Sequence, residues 1–168
     1  MLGNRSAIAA AAALAAAVIG TAAFANPSTE RAVKWPPWLS IETPVNPFDA
    51  HARGAVFLVH AATREGIPRV SDVTGSAEGM VGSTRRSIPL SFDTTDRPGV
   101  FAVRRQWPTE GTWIARISLL TTTAIVTFDR AGNVASARVP TDVQSGDQIP
   151  RAVDAREIDS TLAAASRR

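Results

Sequence analysis

The stretch that decides the fold is Thr112–Leu119, which reads TWIARISL and alternates between apolar and polar side chains. The apolar residues that share one face are Trp113, Ala115, Ile117 and Leu119. The other face carries Thr112, Arg116 and Ser118, with Ile114 as the exception. Because successive side chains of a strand point to opposite faces, this pattern predicts a β-strand with one face in a core.

The chain immediately after this strand predicts a hairpin. Thr122–Asp129 (TTAIVTFD) and Asn133–Val139 (NVASARV) both have strand character and flank the short segment Arg130–Gly132. Gly132 and Asn133 tolerate a positive φ, which a tight connection between antiparallel strands requires.

Five segments before Thr112 also predict strands. In chain order they are Leu39–Thr43, Ala55–Ala61, Arg69–Val81 (one or two short strands), Arg85–Phe92 and Gly99–Arg105. Ala55–Ala61 is apolar on both faces, as in a strand that is covered on both sides. Pro89 makes Arg85–Phe92 an edge or bulged strand. Seven to nine short strands separated by turns predict an all-β fold, an immunoglobulin-like antiparallel β-sandwich, rather than a βαβ fold.

The first 25 residues have the pattern of a secretory signal peptide. Arg5 provides the positive charge, Ala7–Ile19 an apolar run, and Ala23–Ala25 an A-x-A cleavage site. The run is shorter than the roughly 20 residues that a membrane-spanning helix needs. We therefore expect a periplasmic or secreted protein, with no stable membrane insertion after the signal is cleaved.

The remaining chain divides into three parts. Residues 26–37 are expected to be an extended leader, because adjacent prolines at 36 and 37 favour polyproline-like backbone. The β-sandwich is expected over residues 38–141, and residues 142–168 are interpreted as a linker followed by a short C-terminal helix. Asp154 and Glu157 have the spacing of a capping box, which predicts the start of that helix.

Composition excludes several classes of function. The chain has no cysteine, which rules out disulfides, thiol catalysis and cysteine-ligated metal sites. The formal net charge is +3 and falls to +2 once Arg5 leaves with the signal peptide. No basic stretch contains interleaved aromatic residues, so we expect no nucleic-acid partner.

No catalytic constellation is recognisable. A G-x-S-x-G element is absent, and the only histidines are His51 and His60. His60 fits a histidine satisfied near the end of a core strand, and His51 lies close to Asp49. An Asp/His pair binds metal weakly, because a competent site needs three or four convergent ligands. We therefore expect that the protein is not an enzyme and that it has no cofactor.

The tryptophans are the more informative group. Trp113 is expected in the core, whereas Trp107 precedes a proline in a turn and is expected to be half-exposed. Trp35 and Trp38 flank the two leader prolines. These three tryptophans, Trp35, Trp38 and Trp107, either hold the leader and turn against the sandwich or bind a partner, since aromatic side chains dominate packing and interface energetics alike.

Two segments carry a resemblance to a known family. Pro98–Val103 (PGVFAV) and Trp107–Trp113 (WPTEGTW) resemble a late hairpin of the YtkA-like and FixH-like envelope domains, which belong with the CopC-like group. The resemblance covers residues 54–129 and implies an immunoglobulin-like, non-catalytic periplasmic module that is sometimes tied to copper handling. The copper-binding residues of that family carry over poorly to this chain, because such sites use clustered histidine and methionine.

The sequence thus predicts a non-catalytic exported module that recognises an envelope protein or polymer through Trp35, Trp38 and Trp107. The alternative hypothesis is a periplasmic copper-binding or chaperone-like module that uses His51, His60 and Met80.

Overall fold

The computed structural model describes residues 36–167. The expected signal peptide and most of the expected leader, including Trp35, lie outside the described residues. Within residues 36–167 the chain forms one α-helix, α1 (Ala155–Ala165), one short 3₁₀ helix (Val70–Asp72) and eleven strands. The strands are β1 (Trp38–Glu42), β2 (Ala55–Ala62), β3 (Val73–Val81), β4 (Thr84–Pro89), β5 (Asp93–Thr94), β6 (Val100–Arg104), β7 (Thr112–Leu119), β8 (Thr122–Phe128), β9 (Val134–Arg138), β10 (Thr141–Gln144) and β11 (Asp147–Pro150).

Nine of these strands form two antiparallel sheets that enclose a common core. The first sheet has the order β1-β2-β6-β5, and the second has the order β4-β3-β7-β8-β9. Immunoglobulin-like domains place strands A, B, E and D in one sheet and C, F and G in the other, with C′ beside C in variable-type domains. Lettering β1–β8 in chain order gives A-B-E-D and C′-C-F-G. The predicted immunoglobulin-like sandwich is therefore confirmed, and β9 extends the second sheet.

The core between the sheets takes every second residue of the central strands. The residues of β7 in this core are Trp113, Ala115, Ile117 and Leu119, as the alternation predicts. Phe57, Val59 and Val103 of the first sheet pack against this layer. Leu58, on the opposite face of β2, is also buried, so the expectation of a strand covered on both faces is confirmed.

The C-terminal helix docks on the outer face of the second sheet. Ile158 and Leu162 of α1 form an apolar cluster with Ile114 of β7 and Ile125 of β8. Ile114 interrupts the alternation of β7 because the helix covers it. At 11 residues, α1 is too short to cross a bilayer, and no helix among the described residues is long and apolar enough to do so.

The helix begins where its sequence predicts. The Asp154 carboxylate accepts a hydrogen bond from the Glu157 N–H at 2.8 Å, which caps the first turn. The Glu157 carboxylate does not complete the capping box. Instead, it forms ion pairs with the guanidinium groups of Arg138, at 3.1 Å, and Arg151, at 2.9 Å. These ion pairs tie the helix to the chain that precedes it.

The segment interpreted as a linker contains a hairpin instead. β10 and β11 pair through a two-residue turn, Ser145–Gly146, in which both residues have a positive φ. A type I′ turn has this conformation. The linker interpretation fails because both strands are largely exposed and polar. Such strands lack the apolar alternation that identifies a strand in a sequence.

Candidate functional site

Three connections meet at one end of the sandwich, which we call the loop end. They are the β2–β3 loop (residues 63–72), the β5–β6 loop (residues 95–99) and the β7–β8 turn (residues 120–121). The Ala61 N–H donates to the Gly99 carbonyl at 2.8 Å, which ties the β5–β6 loop to the end of β2. The Thr122 hydroxyl donates to the Pro37 carbonyl at 2.6 Å, which brings the start of β1 to the same end.

Large apolar side chains are exposed at the loop end. The exposed fractions are 51% for Trp38, 64% for Ile67, 37% for Val70 and 69% for Leu120. Among the described residues, only two other large apolar side chains are exposed to this degree, Phe48 in the β1–β2 loop and Val143 in the β10–β11 hairpin. Grouped exposed apolar side chains mark interaction surfaces, whereas isolated ones are common on any protein.

Leu120 combines exposure with an unfavourable backbone conformation. Leu119 pairs with Thr122, so residues 120 and 121 form a two-residue turn between β7 and β8. Leu120 has a φ of 50°, in the left-handed region that favours glycine or asparagine. A leucine there gains nothing from folding, because its side chain stays in solvent. Strained residues of this kind concentrate at functional positions.

The β2–β3 loop holds its apolar residues in a fixed conformation. The backbones of Thr63 and Gly66 exchange two hydrogen bonds, of 2.9 and 3.1 Å, which closes a tight turn before Ile67. The Asp72 carboxylate then accepts the Arg69 N–H at 2.9 Å and pairs with its guanidinium. These hydrogen bonds from Arg69 lower the pKa of Asp72 below its ordinary 3.8.

A shallow pocket of about 420 Å³ lies between this loop and the β7–β8 turn. Ile67, Pro68 and Leu120 contribute apolar side chains to its lining, and Glu65 and Arg69 contribute charged ones. Protein-binding surfaces usually combine an apolar area with charged groups.

The structure separates Trp38 from Trp107, which are two of the three predicted partner-binding tryptophans. Trp38 is half-exposed at the start of β1, and Trp35 lies outside the described residues. Trp107 is only 4% exposed, so the expectation that it is half-exposed was wrong. The β6–β7 connection folds across the far end of the core, and Trp107 packs against Phe128 with ring centroids 4.7 Å apart.

The residues of the copper hypothesis lie on different parts of the fold. His60 is on the first sheet, whereas Met80 is on the second sheet and packs against the cluster beneath α1. His51 lies in the β1–β2 loop, where its backbone N–H donates a hydrogen bond of 3.0 Å to the Asp49 carboxylate. Among residues 36–167, no three His, Cys, Asp or Glu side chains are grouped so that they could hold a metal ion.

His60 instead belongs to a polar cluster on the first sheet. Its Nε2 shares a hydrogen bond of 2.6 Å with the Glu42 carboxylate, to which Arg97 donates at 3.2 Å. Burial acts to raise the pKa of Glu42, but the hydrogen bonds from His60 and Arg97 outweigh it and lower that pKa. Arg97 also lies 3.6 Å from Asp49. The cluster links β1, β2 and two loops, and the Arg97 guanidinium pairs with both carboxylates.

The sequence analysis did not identify Ile67, Val70 and Leu120. A signal exists for Ile67, because it stands between Gly66 and Pro68, where a polar turn residue is expected. Leu120 has no such signal, since its position in the turn is defined only by the register of β7 and β8.

Comparison with known proteins identifies no relative of this chain: no family model matches it, and neither does a curated protein or a solved structure.

Proposed function

We propose that this protein is a non-catalytic exported module that binds an apolar segment of an envelope protein at its loop end. The observation that carries the proposal is the exposure of Trp38, Ile67, Val70 and Leu120 at the loop end, where Ile67 and Leu120 also line a shallow pocket. Each of these side chains is large enough to contribute substantially to binding when a partner removes it from water.

The chemistry of the surface favours a protein over a polysaccharide. The exposed side chains of Ile67, Val70 and Leu120 have no hydrogen-bonding groups, whereas a sugar requires polar partners for its hydroxyls. Glu65 and Arg69 in the pocket lining provide charged contacts that give specificity to a protein interface.

The backbone of the loop end is organised before binding. The paired Thr63 and Gly66 backbones, the Arg69–Asp72 contacts and the hydrogen bond between Thr122 and Pro37 limit the conformations of the loops. A surface that is already ordered loses less entropy when it binds. The unfavourable φ of Leu120 fits the same function, because it presents an apolar side chain outward.

The contacts of the Glu42–His60–Arg97 cluster support the part of the proposal that describes the module as non-catalytic. It is the one place in the described chain where a histidine pairs with a carboxylate. Among the described residues, Glu42 is the only side-chain hydrogen-bond partner of His60, so no nucleophile is positioned beside that histidine.

The proposal is tested by photo-crosslinking in a bacterial host that expresses the full chain. A photoreactive amino acid is placed at position 67 or at position 120, and at position 48 as the matched control. Phe48 is highly exposed and apolar but lies in the β1–β2 loop. We expect one envelope protein to be crosslinked from positions 67 and 120 and not from position 48.

A second variant separates specific binding from proximity. Adding Ile67→Ser to the chain with the probe at position 120 is expected to reduce the crosslinked product strongly, since that change removes apolar contact area. Equal products from positions 48 and 120 would overturn the proposal. Products that contain only a second copy of this chain would overturn it as well.

A further inference from the structure

A second cleft lies at the end of the sandwich opposite the loop end, and we call this region the cleft end. It has a volume of about 410 Å³, within the range of small-ligand sites. The β6–β7 loop (residues 105–111) and the β8–β9 turn (residues 129–133) form its sides, and residues 165 and 166 at the end of α1 close it.

Two arginines give this cleft a positive charge. Arg105 and Arg130 both line it, and neither lies within ion-pair distance of a carboxylate among residues 36–167. Six of the fourteen arginines in the described chain, among them Arg85, Arg97 and Arg151, are paired with carboxylates, and Arg105 and Arg130 are the two unpaired ones that line this cleft. Unpaired guanidinium groups beside a concave surface are suited to an oxyanion, which they bind through parallel N–H donors.

The one carboxylate that lines the cleft is already engaged. Asp129 accepts the Asn133 N–H at 2.8 Å and the Asn133 side-chain amide at 3.2 Å. The hydrogen bond from the Asn133 backbone is the main cause of a pKa below the ordinary 3.8 for Asp129. Its role is to close the β8–β9 turn, so two cations and one anion leave the cleft positive.

The backbone of the turn leaves space for Arg105. Gly132 has a φ of 84°, and a Cβ atom added there would overlap the Nη2 atom of Arg105. The guanidinium therefore lies directly against the turn. Trp107 and Phe128 form a rigid floor beneath it. Buried rings therefore form the floor of the site, and exposed guanidinium groups lie at its edge.

The negative end of the helix does not cancel this charge. The Leu162 carbonyl accepts both the Ser166 N–H at 2.9 Å and the Ser166 hydroxyl at 3.0 Å. The Ala164 carbonyl accepts the Arg167 N–H. Hydrogen bonds within the last turn satisfy these carbonyls, which reduces the partial negative charge that they direct at the cleft.

From these contacts we infer that the cleft end binds a phosphate group, held by Arg105 and Arg130 above the floor of Trp107 and Phe128. A phosphate has more oxygens than a carboxylate, so each of two guanidinium groups can engage it through a bidentate pair of hydrogen bonds. The group belongs either to a soluble phosphate compound or to a phospholipid headgroup. This site is independent of the partner surface at the loop end.

The test is a titration of the protein, purified from a host that expresses the full chain, with sodium pyrophosphate at low salt. Calorimetry measures the dissociation constant, and amide NMR locates the bound ion through the Gly132 N–H. Arg105→Ala and Arg130→Ala are each expected to weaken binding about tenfold, as for the loss of charge-assisted hydrogen bonds. Arg86→Ala removes an equally exposed charge from β4 and is expected to change binding by less than about twofold.

A variant that keeps both charges tests the geometry. Gly132→Ala is expected to displace Arg105 and weaken pyrophosphate binding, with the melting temperature showing that the variant is folded. In a parallel arm, vesicles of phosphatidylglycerol are compared with vesicles of phosphatidylcholine. Arg105-dependent binding of phosphatidylglycerol vesicles identifies a lipid headgroup, and its absence beside pyrophosphate binding identifies a soluble ligand.

Three results would overturn the inference. They are the absence of saturable pyrophosphate binding, an equal loss in Arg86→Ala, and binding of anionic vesicles that does not depend on Arg105 or Arg130.

Discussion

The two ends of this sandwich differ in which kind of side chain they expose to solvent. At the loop end, the apolar side chains of Ile67 and Leu120 are in solvent. At the cleft end, the aromatic rings of Trp107 and Trp113 are buried, and arginines face the solvent. The same two sheets support both arrangements, because the strands fix only the positions of the connections.

The difference shows that residue type alone does not identify a binding residue in a small β-domain. Trp107 is held by packing against Phe128, so it belongs to the core although it lies in a loop. Trp38 begins a strand and would be expected to pack, yet half of it is exposed. Where a loop folds over the end of the core, its aromatic residue becomes structural.

The largest expected effect compares these two tryptophans. Trp107→Ala removes a buried ring and leaves a cavity, and should lower the free energy of unfolding by about 3–5 kcal/mol. Trp38→Ala should change it by less than about 0.5 kcal/mol, as is usual for an exposed side chain. Urea denaturation followed by circular dichroism measures both values. Similar losses in the two variants would contradict the distinction between the ends.

An intermediate effect is expected from Leu120. Leu120→Asn places a residue that tolerates left-handed backbone in the β7–β8 turn, and should raise the free energy of unfolding by about 1 kcal/mol. The same change should weaken binding of the partner, because it removes an exposed apolar side chain. Stability that rises while crosslinking falls would show that the leucine is retained for binding.

The matched control is Ser145→Asn in the β10–β11 hairpin. Ser145 has a φ of 53°, nearly the same as that of Leu120, and precedes Gly146. An Asn-Gly pair suits this turn, so stability should rise here too, with no change in binding. A loss of binding in Ser145→Asn would mean that the hairpin contributes to the interface.

The smallest effect concerns acid stability of the helix that closes the cleft end. Burial acts to raise the pKa of Glu157, but the ion pairs with Arg151 and Arg138 outweigh it and lower that pKa below 4.5. The ionised Glu157 carboxylate therefore makes its full contribution to the free energy of unfolding above pH 4.5. That contribution is lost as the pH falls through the lowered pKa. Glu157→Gln should cost less than about 1 kcal/mol at pH 7 and progressively less in acid.

Thermal melts of the wild type and Glu157→Gln between pH 7 and pH 3 measure this dependence. Glu65→Gln is the control, since Glu65 has no ion pair among the described residues and lies at the loop end. A constant difference between wild type and Glu157→Gln across this range would show that the ion pairs of Glu157 do not act on stability.

The fold was predictable because apolar side chains recur at every second position of its central strands. The alternation in Thr112–Leu119, the double-sided burial of β2 and the edge position of β4 all agree with the structure. The β10–β11 hairpin was not predicted, because its exposed strands carry no apolar pattern. Its one sequence signal is the Ser145–Gly146 pair, which marks a turn.

The candidate sites were less predictable than the fold, because they depend on contacts distant in sequence. Nothing adjacent to Leu120 indicates a positive φ, which results from the pairing of β7 with β8. The burial of Trp107 depends on Phe128, which is 21 residues later in the chain. Arg105 and Arg130 come from different loops, and their proximity follows only from the order of the strands.

The docking of α1 has a consequence for biosynthesis. Ile114 and Ile125 are covered by Ile158 and Leu162 of α1, which follow both strands in the chain and are synthesised after them. Until α1 is available, the second sheet presents an uncovered apolar stripe that favours aggregation. A chain truncated before Ala155 would keep that stripe permanently. Proteases and chaperones that recognise exposed apolar strands would therefore act on chains that lack α1 and not on chains in which it has docked.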